Sequence, residues 1–363
     1  MEKEKISGIQ LFSLIFLFEL GTALVVPLGM SAKKDAWIAI LLGLAGGVCL
    51  YFIYISLSRL YQGQPLTSYI PKILGKYIGW PLGLVYVIFF TYTAARDLRD
   101  FGELLLASLY DQTPLFLIVT LMAIGMIFVL YQGIEVFART GEIYIIILII
   151  IGFLGNLFVL FSGIIDIKNL FPILEKGWKP VVYTAFPHTL IFPFGEMLCF
   201  TMLLPYFNKP QKALKIGLSA MLISAIILSY TISVDIAVLG VDTAGRTTFP
   251  LLTTISMVNI AEFLQRLDAI AILTLIIGNF FKVSIYFYAA VIGTSDLFKV
   301  QKQKLVWPIG MIILFFSVII ASSFSEHLKE AFSKGPMFIA LTMEMGIPLL
   351  LLIIAIFRKR IRL

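Results

Sequence analysis

The chain has 363 residues, of which 60% are hydrophobic and only 13% are charged, and its formal net charge is +7. A soluble domain would have about 25% charged residues. Here the apolar residues fall in runs of roughly 20, long enough to cross a hydrocarbon core of about 30 Å. These features exclude a soluble globular protein and predict a polytopic helical membrane protein.

Ten apolar windows, separated by charged or proline- and glycine-rich breaks, predict ten membrane spans, numbered span 1 to span 10 in chain order. They cover residues 9–30, 36–58, 79–109, 114–131, 134–162, 179–207, 211–239, 262–295, 305–322 and 336–357. Each of spans 1–5 corresponds, in the same order, to one of spans 6–10. Because five is odd, the second set would enter the membrane from the opposite side. The sequence therefore predicts a single transmembrane domain over residues 1–363, made of inverted repeats at about 9–162 and about 179–357.

The positive charges predict the orientation of the chain. With the N-terminus inside, 15 lysine and arginine residues fall in inner segments and 8 in outer segments. Positive residues prefer the cytoplasmic side of a membrane. Both termini are therefore predicted to be cytoplasmic.

Two spans are interrupted near their middles. Span 6 contains "IFPFGEMLCF", with Phe192, Pro193, Phe194, Gly195 and Glu196, and span 1 contains "FELGTAL", with Gly21 and Thr22 after Glu19. Helix breakers in lipid are tolerated where the freed backbone groups face protein or a cavity. Paired interruptions in two halves point to a binding site at the membrane midplane. A simple kink in each span is the alternative.

The backbone groups freed at the interruptions predict the kind of ligand. A half-helix that starts after Gly21 would present the N–H groups of Thr22, Ala23 and Leu24, which suit a carboxylate. Free carbonyls around Leu20 and Phe192 would suit an ammonium. Together they predict a zwitterionic amino acid. Packing side chains, among them Phe192, Phe194 and Tyr92, would then select its side chain.

Glu19, Glu196 and Lys282 are charged residues within spans, where a central charge costs roughly 2.5 to 3.5 kcal/mol on insertion scales. Glu196 either caps the second half of span 6 or acts as a ligand or proton-coupling group. Lys282 of span 8 is placed by hypothesis beside span 1, where sodium-coupled transporters of this architecture hold a cation. Its predicted partner is Glu19, and generic ion pairing elsewhere is the alternative.

Charged residues in spans 3 and 5 are spaced for pairing along their own helices. The predicted pairs are Arg96 with Asp100, Arg99 with Glu103, and Arg139 with Glu142. Structural networks between packed spans would explain them. A polar pathway for water or ions is the functional alternative.

Catalysis, metals and cofactors are not predicted. Two cysteines and two histidines, at Cys49, Cys199, His188 and His327, have no metal-site spacing, and the chain has no nucleotide-binding loop or serine triad. The basic residues cluster at span ends, which indicates a lipid bilayer rather than nucleic acid as their surroundings.

Four strings in this order resemble one known family: "LFELGTAL", "LRDFGELLLASLYDQTPL", "GIEVFARTGEI" and "FPFGEMLCFTMLLP". The chain resembles the B subunits of bacterial spore germinant receptors, the endospore germination permeases of the amino acid-polyamine-organocation superfamily. The resemblance implies an all-α LeuT-like fold with interrupted helices 1 and 6, whose pocket is lined by Gly21 to Leu24 and Phe192 to Glu196. It also implies residence in the spore inner membrane, together with an A subunit and a lipid-anchored C subunit.

By this resemblance, the chain would sense a nutrient, often an amino acid such as alanine, and signal to its partner subunits. A proton-coupled amino-acid transporter of the same fold, with Glu19 or Glu196 as the proton carrier, is the alternative. A subunit that only conducts water or ions is a third possibility. Which nutrient is recognised does not follow from the resemblance.

Overall fold

The computed structural model describes residues 5–108, 112–259, 268–321 and 334–361. Within these ranges eight helices are long and apolar enough to cross a membrane, and the helices Gly8–Leu20 and Leu115–Tyr131 are shorter and apolar. Together they account for the ten predicted spans. The ten-span helical architecture is therefore confirmed.

The helices follow the predicted spans with small shifts at their ends. Spans 1 to 5 are Gly8–Leu20 with Thr22–Leu24, Ala36–Leu60, Lys76–Ser108, Leu115–Tyr131 and Ile134–Phe161. Span 6 is made of Trp178–Tyr183, Thr184–Phe194, Gly195–Cys199, Phe200–Leu203 and Leu204–Tyr206. Spans 7 to 10 are Ala213–Leu239, Asp268–Phe298, Lys302–Ile319 and the series Lys334–Ala340, Leu341–Gly346 and Ile347–Ile361. Connecting helices are Met30–Asp35, Leu66–Leu74, Ile167–Leu170, Pro210–Lys212, Val241–Arg246 and Pro250–Ser256.

Span 8 lies at the centre of the bundle. Every residue from Phe281 to Gly293 is buried, and the span packs against spans 1, 3, 5 and 9. Glycine allows its backbone to approach span 1 closely, because a Cβ atom on Gly278 would lie 2.9 Å from the Cα atom of Gly21. Small residues commonly allow such contacts between membrane helices. The break in span 1 is therefore pressed against the middle of span 8.

Span 2 provides a similar flat surface for span 6. Cβ atoms on Gly43 and Gly47 would collide with Thr189 and Phe194 of span 6. The Thr189 hydroxyl also donates a hydrogen bond of 2.7 Å to the carbonyl of Ala39 in span 2. Each interrupted span thus has a neighbour whose glycines allow a close approach. Span 8 packs closely against span 1, and span 2 packs closely against span 6.

Span 1 ends its regular helix at Leu20, as the sequence indicates, but the second half-helix is shorter than predicted. Gly21 has φ −29° and ψ −110°, and only a single 3-10 turn, Thr22–Leu24, follows it. Pro27 lacks an N–H donor and restricts the residue before it. Gly29 adopts a left-handed conformation with φ 75°. These two residues prevent the helix from resuming.

Span 6 is interrupted twice. Phe192 has φ −111° and ψ 117°, and Phe186 has φ −123° and ψ 107°. Each precedes a proline, Pro193 or Pro187, whose ring disfavours the helical conformation of the preceding residue. The break at Phe192 was predicted, whereas the break at Phe186 was missed although the same Phe-Pro pair marks it.

Span 10 has a wide helical turn at Leu341–Gly346. Pro348 has no N–H to donate to the carbonyl of Glu344, four residues earlier. The hydroxyl of Tyr54 in span 2 lies 2.6 Å from that carbonyl oxygen and 3.0 Å from the carbonyl oxygen of Gly195 in span 6. Tyr54 therefore connects the irregular parts of spans 6 and 10.

The residues before span 1 pair with the end of span 6. The Ile6 N–H donates to the Tyr206 carbonyl at 2.9 Å, and the Asn208 N–H donates to the Ile6 carbonyl at 3.1 Å. Ile6 itself is fully buried. The two interrupted spans are thus joined through backbone hydrogen bonds at this end of the molecule.

Candidate functional site

A buried ion pair lies between the two interruptions. The Nζ atom of Lys282 is 2.6 Å from Oε2 of Glu196, and the two side chains are 0% and 9% exposed. The ammonium also lies 4.2 Å from the ring centroid of Phe192 and 5.6 Å from that of Phe18, within the range of cation–π contacts. Span 8 thus places its lysine against the breaks of both interrupted spans.

Gly21 is required for this position of Lys282. A Cβ atom on Gly21 would lie 3.0 Å from both Cβ and Cδ of Lys282 and 3.1 Å from the carbonyl oxygen of Phe18. Such distances are shorter than ordinary van der Waals contacts between carbon atoms, which are about 3.5–4.0 Å. The glycine therefore makes room for the lysine stem beside span 1.

Three more carboxyl groups surround the pair, those of Glu19, Asp97 and Glu344. All three residues are buried, with exposures of 0%, 6% and 2%. Each is close enough to Glu196 and Lys282 to interact with both electrostatically. Glu19, Asp97, Glu196, Glu344 and Lys282 are called the acid cluster.

The carboxyl oxygens of the acid cluster are poorly satisfied. Among the described residues, neither oxygen of Glu19 has a hydrogen-bond partner, nor do Oδ2 of Asp97 and Oε2 of Glu344. Buried polar groups without partners are unfavourable, and buried unpaired charges are more so. The four acids outnumber Lys282 and the nearby Arg96, so the cluster can accept a further cation or protons.

The structure corrects two predicted pairings. Lys282 pairs with Glu196 rather than with Glu19, because the turn at Gly195 brings Glu196 to span 8 while Glu19 lies on the regular helix before the break. Arg139 pairs at 2.6 Å with Glu135, one helical turn away, on an exposed face. Glu142 instead accepts a 3.3 Å hydrogen bond from Gln10 of span 1, which packs against span 5.

Other predicted charges of span 3 have structural contacts. Arg99 pairs with Glu103 at 2.6 Å, as predicted, and also donates a 3.1 Å hydrogen bond to the carbonyl of Val318 in span 9. The Arg96 guanidinium lies 5.8 Å from the ring centroid of Tyr92. This part of span 3 therefore links neighbouring helices.

A cavity of about 180 Å³ lies next to the break in span 1 and is called the break pocket. It is lined by Thr22, Val25, Val26, Pro27, Asp100, Leu104, Gly245, Arg246, Thr247, Thr248, Phe249 and Asn279. A water molecule occupies about 30 Å³ in the liquid, so the pocket has room for several waters or one small ligand. Spans 1, 3 and 8 form its walls together with residues 245–249, which include the last two residues of helix Val241–Arg246.

The break pocket offers polar groups of several kinds. Asp100 and the exposed Arg246 provide charges of opposite sign. Among the described residues, Oγ1 of Thr22 and Oδ1 of Asn279 are buried without hydrogen-bond partners. This combination is chemically suited to a molecule that carries an ammonium and a carboxylate.

The residues predicted to line a ligand pocket separate into distinct groups. Thr22 lines the break pocket, whereas Leu24 lines a different cavity. Lys282 is surrounded by Gly21, Phe192 and Glu196. Phe194 packs against Gly47 of span 2. Ala23, Pro193 and Gly195 are buried, and Tyr92 is half-buried beside Arg96.

Four of the residues that the sequence did not predict carry a charge or an unpartnered buried polar atom: Asp97, Glu344, Arg246 and Asn279. Glu344 had a usable signal, because it is the only charged residue between positions 336 and 357. Asp97 was overlooked between Arg96 and Arg99. Arg246 and Asn279 reach the site because segments distant in the sequence pack together. No pattern in the neighbouring residues predicts their position there.

Comparison with solved structures identifies the fold. The structure of MhsT in complex with L-phenylalanine matches with a TM-score of 0.72 at 15% identity, covering 98% of this chain and 89% of that chain. The structure of Mhp1, a nucleobase-cation-symport-1 family transporter, matches with a TM-score of 0.69 at 12% identity, covering 96% and 78%. The chain therefore has a LeuT-like fold, as predicted.

Sequence comparison then gives the family. The family described as "Spore germination protein" matches residues 5–325. Spore germination protein KB of Bacillus subtilis (strain 168) is 42% identical over 100% of this chain and 97% of that protein. Spore germination protein YndE of the same organism is 28% identical over 90% of this chain and 89% of that protein. The chain belongs to this family of spore germination proteins and is an integral membrane protein.

Proposed function

We propose that this protein is the nutrient-sensing subunit of a spore germinant receptor, and that it binds an amino acid near the interruptions of spans 1 and 6. In this proposal it resides in the spore inner membrane with both termini in the cytoplasm, and it signals to A and C subunits. The observation that carries the proposal is the acid cluster beside the break pocket, where four carboxyl groups surround one amine.

The charge balance supports a ligand that has an ammonium group. Lys282 pairs with Glu196, and Arg96 is close enough to Asp97 and Glu196 to interact with both electrostatically. Because four carboxyl groups face these two cations, a further positive charge can be accommodated. A ligand ammonium directed toward Glu19 or Asp97 would provide it. The ligand carboxylate would then lie among the donors of the break pocket, with Thr22 and Arg246 as its partners. MhsT, whose solved complex contains L-phenylalanine, gives an example of amino-acid binding in this fold.

The connections of the acid cluster support a signalling role. Its members belong to spans 1, 3, 6, 8 and 10, so a change of charge within it acts on five helices at once. A ligand shifts a conformational equilibrium only by its difference in affinity between the states. In a receptor, that difference would come from how well each arrangement of these helices brings the carboxylates to the ligand ammonium.

Proton-coupled amino-acid transport is the second candidate. The observation that favours it is the excess of buried carboxyl groups, because a carboxyl that lacks a counter-cation can hold a proton instead. The relatives of the fold also include a transporter, Mhp1. In this alternative, Glu19 or Glu196 would release the proton when the pocket opens to the other side.

The two functions separate in one experiment. The full chain is reconstituted in liposomes, and binding and accumulation of labelled amino acids, alanine first, are measured with and without a proton gradient. Saturable binding without accumulation is expected for the receptor. Accumulation driven by the gradient would establish the transporter, and an absence of binding across the panel would contradict amino-acid sensing by this subunit.

A further inference from the structure

A second cavity, of about 240 Å³, lies between spans 1, 5, 7 and 8 and the short helix Pro250–Ser256. It shares no lining residue with the break pocket. Its walls are mostly apolar and include Leu20, Leu148, Ile227 and Ile270. It is called the lateral cavity.

The lateral cavity opens toward the lipid between spans 5 and 7. Ile149 and Phe153 of span 5 and Tyr230 of span 7 line it and are 55%, 66% and 53% exposed. In a membrane-spanning bundle, large apolar side chains that are exposed on transmembrane helices face the hydrocarbon. A molecule that dissolves in the bilayer can therefore reach this cavity without passing through the break pocket.

One carboxyl group distinguishes the lateral cavity from an apolar gap between helices. Asp235 of span 7 lines it, is only 2% exposed, and accepts a 2.7 Å hydrogen bond on Oδ1 from the Thr254 hydroxyl. Within the ranges that the structure describes, Asp235 takes part in no ion pair. Intramembrane carboxyl groups are costly and pair with a cation or a donor where they occur.

We propose that the lateral cavity binds a single-chain amphiphile whose primary amine pairs with Asp235 and whose hydrocarbon chain lies along the apolar walls. The ammonium supplies a counter-charge to the carboxylate and donors in addition to the Thr254 hydroxyl, and burial of the chain contributes about 0.8 kcal/mol per CH₂ group. A phospholipid fits this site poorly, because its phosphate would approach a carboxylate. This site is independent of the proposed amino-acid site.

The chain offers a variant that fills the cavity without a collision. Gly152 lines the lateral cavity, and a Cβ atom built on it meets no atom within 4 Å. The Cβ atom of Gly152→Phe therefore lies in open space at the cavity wall. Ile146→Phe is the matched control, because Ile146 lies on the same helix, is 59% exposed and does not line the cavity.

The test is equilibrium binding of labelled n-octylamine to the full chain in nanodiscs made only of phosphatidylcholine, a lipid without a primary amine, with empty nanodiscs as background. Uncharged n-octanol is the competitor that matches its length. Size-exclusion profiles and melting curves of each variant verify that it is folded. We expect saturable binding to the wild type and to Ile146→Phe, and loss of that binding in Gly152→Phe.

Asp235→Asn tests the recognition of the amine. It should weaken n-octylamine binding by about tenfold or more, because the ammonium loses its negatively charged partner, and leave the affinity for n-octanol unchanged. The proposal is overturned if a folded Gly152→Phe protein binds n-octylamine as the wild type does. It is also overturned if n-octylamine and n-octanol bind equally to the wild type and to Asp235→Asn.

Discussion

Lys282 and Glu196 form a 2.6 Å ion pair that connects span 8 to the second break of span 6, with the lysine stem packed against Gly21 of span 1. The pair is fully enclosed on the lysine side and nearly so on the glutamate side. Because its neighbours include three more buried carboxyl groups, removal of the lysine affects more than one partner.

Replacement of Lys282 by Met should destabilise the protein by about 3–5 kcal/mol, because Glu196 is left as an unpaired buried charge. The double variant Lys282→Met with Glu196→Gln should recover a large part of this loss, measured as thermal unfolding in detergent. The double variant with Glu19→Gln serves as the control and should recover less. Equal recovery by the two partners would contradict the assignment of Glu196 as the partner of the lysine.

Gly21→Val should abolish amino-acid binding in the reconstituted protein while insertion into the membrane is retained. The added side chain would collide with the Lys282 stem and force the ion pair apart. Gly152→Val is the matched control, because a Cβ atom there meets nothing within 4 Å. Binding that persists in Gly21→Val would show that the break in span 1 is only a kink.

Thr22→Val should weaken amino-acid binding by about two- to tenfold and leave stability nearly unchanged. Its hydroxyl has no hydrogen-bond partner among the described residues, so the isosteric change removes only a contact to the ligand. Thr189→Val should lower stability and leave amino-acid binding nearly unchanged, because its hydroxyl donates a hydrogen bond to the carbonyl of Ala39. Binding isotherms and melting curves of both variants measure these effects. The prediction is contradicted if the two variants change binding and stability in the same way.

Tyr54→Phe should lower stability by about 1–3 kcal/mol, because the carbonyls of Gly195 and Glu344 lose their shared donor within the bundle. Tyr131→Phe is the control, since Tyr131 is 49% exposed at the end of span 4. Thermal unfolding of the two variants provides the comparison. A Tyr54→Phe protein as stable as the control would mean that water replaces the hydroxyl.

Sequence reasoning was successful where the cause is local. The break at Phe192 follows from Pro193, and the end of the first helix follows from Gly21, because each acts on its own backbone. The same rule accounts for the break at Phe186, which precedes Pro187. The limits of the two inverted repeats and the cytoplasmic position of both termini stay predictions.

The composition of the site could not be predicted in the same way. Lys282 is 86 positions from Glu196, and the choice between Glu196 and Glu19 depends on how two irregular segments pack against span 8. Arg139 has acidic neighbours on both sides, and it pairs with Glu135 while Glu142 accepts a hydrogen bond from Gln10 of span 1. Helical spacing alone does not contain this information.

The backbone pairing of Ile6 with Tyr206 and Asn208 has a mechanical consequence. The start of span 1 and the end of span 6 are joined at one end of the bundle, and the breaks that follow and precede these ends lie at Gly21 and at Phe192. A displacement of either tied end must therefore move the other with it. The helical segments between this end of the bundle and the breaks at Gly21 and Phe192 would move together. A movement at this end would therefore reach the ion pair of Lys282 and Glu196 through both breaks.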